Sequence, residues 1–178
     1  MTGRAFFARG AALATLVFLL FAPPGSGAES FPSAASPKFG WFVVPFADRG
    51  GLLHIVPADA PPGTVRRSLP LADRPTVMGA GGGGVAASDL VLVFPPIDPN
   101  AADPVRQVRR VSARGSARAD LPTVSAPVAL APLLGTHEPV GVVLAREGPL
   151  ALCRDEAGRF SLLSAGPSRW TEDPAPPA

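Results

Sequence analysis

Apolar residues along this chain fall in short runs, and Pro or Gly punctuates nearly every gap between them. The runs alternate with polar residues or stay continuous over about four to eight positions, which is strand spacing. Trp41-Phe-Val-Val44 lies inside an expected strand from Gly40 to Phe46, and a second runs from Leu52 to Val56 after the turn signal Asp48-Arg-Gly-Gly51. Thr64 to Leu71 alternates Val65, Arg67, Leu69 and Leu71 against Arg66, Ser68 and Pro70. Leu90 to Phe94 is uninterrupted Leu-Val-Leu-Val-Phe. Val140 to Ala145 and Leu150 to Cys153 flank the turn Arg146-Glu-Gly148, and Arg159 to Leu163 follows Asp155-Glu-Ala-Gly158. One segment competes: Asp103-Pro104 before Val105, Val108 and Val111 suits a helix start.

Internal repetition decides that segment in favour of a strand. Ala72-Asp-Arg-Pro-Thr-Val77 recurs as Ala119-Asp-Leu-Pro-Thr-Val124, 47 residues on. Val65-Arg-Arg67 recurs as Val108-Arg-Arg110 after 43 residues, and Pro57-Ala-Asp59 as Pro96-Ile-Asp98 after 39. The matches keep their order, and a partial third unit runs from Leu121 to Leu163. A period near 40–50 residues with several strands per unit is the spacing of propeller blades. The segment Val140-Gly-Val-Val-Leu-Ala-Arg-Glu-Gly-Pro-Leu-Ala-Leu-Cys-Arg-Asp-Glu-Ala-Gly158 resembles a blade of the PQQ-type propeller repeat over residues 140–163. That family has Thr before the Gly and Trp four residues after it, where this chain has Ala157 and Leu162, so the resemblance implies no quinone cofactor. Three units fall short of the about four that closed propellers need. The expected fold is therefore all-β, with about three blade-like antiparallel repeats. A β-trefoil or an irregular sandwich remains open.

The ends read differently from the middle. Arg4 and Arg9 precede an apolar run from Ala11 to Ala22, and Ser26 and Ala28 occupy −3 and −1 of a cut before Glu29. This is the secretory pattern, and the run is shorter than the roughly 20 residues of a membrane span. A retained anchor or a buried helix is the alternative. No cysteine flanks the cut and no twin arginine precedes it, so neither a lipid anchor nor folded export is indicated. The expected organisation is an export signal at 1–28, a flexible lead at 29–38, a β-repeat domain at 39–165 and a disordered Pro-rich tail at 166–178 in which Trp170 offers one anchor. Export places the protein in a periplasm or outside the cell, free of the membrane once cleaved.

Charge changes the picture little. The 16 basic residues exceed the 14 acidic ones, but Arg4 and Arg9 account for the excess. The remainder is neutral and exerts no global pull on nucleic acid or anionic membrane. Cys153 is the single cysteine, so no internal disulfide is available, and its apolar flanks suit burial.

Candidate chemistry is sparse. Gly79-Ala-Gly-Gly-Gly-Gly84 fits G-x-G-x-x-G, but Val85 to Asp89 is too short for the helix a dinucleotide site needs, so a close-packed or flexible Gly segment is expected. His54 shares a strand face with Leu52 and Val56 and reads as a half-buried, hydrogen-bonded residue. His137 lies in a loop before a strand, and Asp89 occupies the corresponding entry of the previous unit, so Asp89, His137 and Glu138 form a candidate ligand-binding cluster. Asp98-Pro-Asn-Ala-Ala-Asp103 faintly resembles a calcium loop but lacks its Gly and terminal Glu. Ser116 has no elbow motif around it. No metal site, cofactor or catalytic residue is assigned. Arg106, Arg109, Arg110, Arg114 and Arg118 form the main local charge feature, a candidate anion patch or a charged strand edge. It lacks interleaved aromatics, which disfavours nucleic acid and leaves a protein or an anionic glycan as partner. The expected role is binding or scaffolding, with a homodimer among the ways to complete the repeats. A small hydrolase near His137 and Glu138 is the alternative.

Overall fold

The computed structural model describes residues 32–60, 67–81, 88–114 and 123–172. The expected export segment, Ser116, Arg118 and residues 82–84 of the Gly run lie outside them.

β1 (Ser33–Ala35), β2 (Phe39–Pro45), β3 (Gly51–Pro57) and β4 (Arg67–Leu71) form a four-stranded sheet in that order. In the second sheet, β5 (Val77–Ala80) and β6 (Asp89–Pro96) lead to β7 (Val105–Arg114). Three short strands then pair with β7: β8 (Thr123–Val124), β9 (Val128–Ala129) and β10 (Leu133–Leu134). β11 (Glu138–Leu144), β12 (Pro149–Arg154), β13 (Phe160–Ala165) and β14 (Trp170–Glu172) form a four-stranded third sheet. The ladders within each sheet are antiparallel, and the described residues contain no α-helix. The chain is all-β. No sheet of the described residues closes on itself, so the barrel of the trefoil alternative is not formed.

Two apolar cores explain the pattern of runs. The first lies between the first and second sheets and takes Phe39, Trp41, Leu53 and Ile55 from one side and Leu90, Leu92, Phe94 and Val111 from the other. The second joins Val91, Val93, Val108 and Leu133 of the second sheet to Val142, Leu144, Ala151 and Cys153 of the third. Side chains alternate across a strand, so β6 sends even-numbered residues to one core and odd-numbered ones to the other. That is why its run is continuously apolar where β2 and β3 alternate. β7 follows the same logic. Val108 faces the second core and Val111 the first, so a three-residue spacing that mimics a helix is satisfied by burial on both faces of one strand.

Strands occur nearer both ends of the described residues than the composition there implies. Ser33–Ala35, in the expected flexible lead, pairs with Gly40–Phe42 because the edge of β2 offers unpaired backbone groups. Trp170–Glu172, in the expected tail, pairs with β13. Trp170 also donates its indole N–H to the Ala131 carbonyl at 2.9 Å.

The sheets meet most closely along their first strands. β5 packs against both β1 and β11. Gly81 forms a parallel bridge to Leu144, and a β-carbon at Gly79 would overlap the Val142 carbonyl. The described part of the Gly run thus serves close backbone approach.

Candidate functional site

Glu138 opens β11, opposite Arg154 on β12, and the two form an exposed ion pair at 2.6 Å. They line an open cleft of about 420 Å³ with Thr136, Asp155, Glu156 and Gly158. Asp155 is engaged as well. It accepts from the Arg159 backbone N–H at 2.8 Å and from its guanidinium at 2.7 Å, and these bonds hold its carboxyl below the usual range.

Asp89 is not brought to this cleft. Its carbonyl accepts from the Gly81 N–H at 3.1 Å, and Gly81 bridges Leu144, the last residue of β11. Glu138 is the first residue of the same strand, six positions away and so roughly 20 Å along it. The expected grouping of Asp89 with His137 and Glu138 fails because strand entries in neighbouring sheets fall at opposite ends of the β5–β11 contact. Among the described residues no three His, Cys, Asp or Glu side chains gather as metal ligands. In the calcium-like loop, Asp98 Oδ1 instead accepts from the Asn100 N–H at 2.9 Å. His54 stacks on Phe42 with centroids 5.0 Å apart, and its Nδ1 lies 2.9 Å from Ser68 Oγ.

The arginine patch is divided by the strand that carries it. Arg106, Arg110 and Arg114 fall on the face of β7 that carries Val108, while Arg109 falls on the face of Val111. Arg106 is half-buried and donates to the Gly135 carbonyl at 3.1 Å. Arg109 bonds Gln107 Oε1 at 2.8 Å, with its guanidinium 5.4 Å from the Phe94 ring centroid.

Arg109 leads to a second cleft, of about 410 Å³, where the first two sheets meet. Phe94, Pro95, Pro96 and Ile97, together with Gln107, line it from the second sheet and its loop. The register between β6 and β7 shifts between Val93 and Pro96, as the two prolines lack ladder donors, and Ile97 is left 68% exposed. Arg49, Asp73 and Arg74 line the opposite rim. Two connections place them: the β2–β3 turn and the segment from β4 to β5, joined by Arg74 N–H to the Arg49 carbonyl at 2.9 Å. Arg49 pairs with Asp73 at 3.1 Å, so the rim holds two guanidinium groups against one carboxylate. Sequence reasoning passed over Arg49 as a turn residue and Arg74 as part of a repeat. A signal was present in the repeat, since Arg74 is the position at which Ala72–Val77 departs from its second copy, which has Leu121.

Cys153 is fully buried in the second core and free. Burial pushes its thiol up to about 11, with Arg106 pulling weakly the other way. Comparison with known proteins returns no matching family model, curated protein or solved structure.

Proposed function

We propose that this chain is an exported binding protein built of three blade-like sheets, and that its ligand is an acidic glycan held at the cleft between Arg49, Arg74 and the Phe94–Ile97 segment. The blade reading draws on three features: each sheet follows the chain strand by strand at its centre, the sheets stack face to face, and β1, β5 and β11 lie side by side. The sequence repeats run one strand out of step with it, since Pro57 ends β3, the third strand of its sheet, and Pro96 ends β6, the second of its own.

The observation that carries the ligand class is the pairing of two arginines with an apolar floor of Phe94, two prolines and Ile97. A guanidinium donates a forked pair of hydrogen bonds to a carboxylate or sulfate, and an apolar floor covers the C–H face of a sugar ring. The hydrolytic alternative near His137 and Glu138 draws less support, because Glu138 is engaged by Arg154 at 2.6 Å.

Calorimetric titration with a uronate oligosaccharide and its neutral counterpart tests the reading. Binding is expected for the acidic sugar alone, weakening as salt rises. Arg49→Glu with Arg74→Glu is expected to weaken it at least about tenfold, since about 1.4 kcal/mol per decade is within reach of two charge reversals. Arg114→Glu, outside the cleft, is expected to leave it unchanged. Equal affinity for both sugars, or indifference to the double reversal, would reject the assignment.

A further inference from the structure

Each apolar sheet face in the two cores is covered by the next sheet, and two further faces remain at the ends of the stack. In the first sheet, the positions that alternate with the core residues place Val44, Leu52 and Val56 outward, beside Phe42 stacked on His54. No charged residue points outward from β2 or β3, nor from the positions of β1 and β4 that pair with them on this face. In the third sheet Val143, Leu150, Leu152 and Leu162 lie outward by the same register. Charge enters that face only in the end row of Glu138, Arg154 and Phe160. Val44 is 40% and Leu162 38% exposed, and the others are half-buried. A solvent-facing side of an antiparallel sheet ordinarily alternates to polar residues; here Ser33, His54 and Ser68 are the polar residues of the first face, and Ser164 and Thr171 join the end-row charges on the third, beside the apolar residues named above.

We infer that the two end faces bind each other in a second copy of this chain, the first-sheet face of each molecule seated on the third-sheet face of its partner. The inference rests on the blade reading above. Three features of the molecule favour a second copy as occupant. The two faces match in strand number, each belonging to a four-stranded sheet, and charge on them is confined to the paired Glu138 and Arg154 in the end row of the third-sheet face. Their pairing repeats the sheet-on-sheet contact already made twice within the chain. The first strands of successive sheets also neighbour one another, as blades do at a ring's centre, and two three-sheet stacks joined reciprocally give six, within the about 4–8 at which such rings close. A face four strands wide and about six residues long covers roughly 400 Å² at ordinary strand spacing. The two reciprocal contacts, four faces in all, therefore bury about 1,600 Å², a standard stable interface. A head-to-tail contact either closes or propagates, and the closed pair is the form proposed.

The test is the mass of the purified protein by light scattering during size exclusion, with far-UV circular dichroism on the same peak. The expected mass is twice that of one chain, held across a hundredfold dilution. Leu52→Arg and Leu150→Arg, on opposite faces, are each expected to yield a β-rich monomer, because each face takes part in one of the two contacts and closure needs both. A β-rich wild-type monomer would overturn the inference and leave the blade reading standing. Dissociation by only one substitution would mean that one face pairs with itself, and a ladder of larger species would mean an open chain. Either result overturns the closed pair. A wild-type protein without β signal would reject the blade reading itself.

Discussion

At the scale of single residues, burial governs the chemistry that is and is not available. Cys153 is surrounded by the second core, and a thiolate there would be stranded away from water. Below about pH 9 folded and unfolded chains both keep the thiol proton. Between about 9 and the folded value of about 11 the unfolded chain loses it first, so stability falls as pH rises through that window. The loss is expected to approach about 3 kcal/mol. The readout is clean because the chain has no tyrosine and Lys38 is its single lysine. Urea titrations at pH 8 and pH 11 should show the drop, and Cys153→Ala should remove it. A thiol reagent at pH 8 should label only unfolded protein. The burial of Cys153 was legible in its apolar flanks. The cleft was not, because Arg49 and Arg74 lie in separate connections and only the departure of Arg74 from the second copy of its segment set either apart.

At the scale of elements, legibility followed the number of faces a strand buries. β2, β3 and β4 alternate, β6 is continuous, and β11 to β13 are bracketed by turn residues, so each could be read along the chain. β5 could not. It is four residues long and contains Gly79, a strand breaker by composition that serves here to bring β5 against β11. β1 and β14 escaped for another reason, since each is recruited by a neighbour's free edge and not by its own hydrophobicity. Gly79→Val is expected to lower stability by about 3 kcal/mol or more, because the obstacle is the Val142 backbone, which no rotamer change relieves. Gly158→Ala provides the contrast. Its φ of 79° favours glycine but nothing lies within 4 Å, so a cost of about 1 kcal/mol is expected from the backbone alone. Chemical denaturation of the two variants separates close approach from turn conformation.

At the scale of the whole molecule, the second sheet is the keel. It alone contributes to both cores, and the two sheets beside it each bury one face. The sequence carried this arrangement in an indirect form. Its apolar runs and turn residues mark most of the hairpins in order, while the stacking of one hairpin on the next depends on contacts between residues distant in the chain. Such contacts have no signature in spacing. The cleft exists because two sheets meet at their strand ends, and the end faces exist because the stack of described sheets stops at three.

The most direct test of the stack is amide hydrogen exchange resolved by residue. β6 is paired on both edges, by β5 and β7, and covered on both faces. Leu90 to Phe94 should therefore exchange slowest of all the strands, through global unfolding. β3 and β12, central in their sheets but covered on one face, should follow, and the edge strands β1 and β14 should exchange fastest. Exchange in β6 as rapid as in β1 and β14 would contradict a sheet enclosed on both sides, and with it the three-layer account.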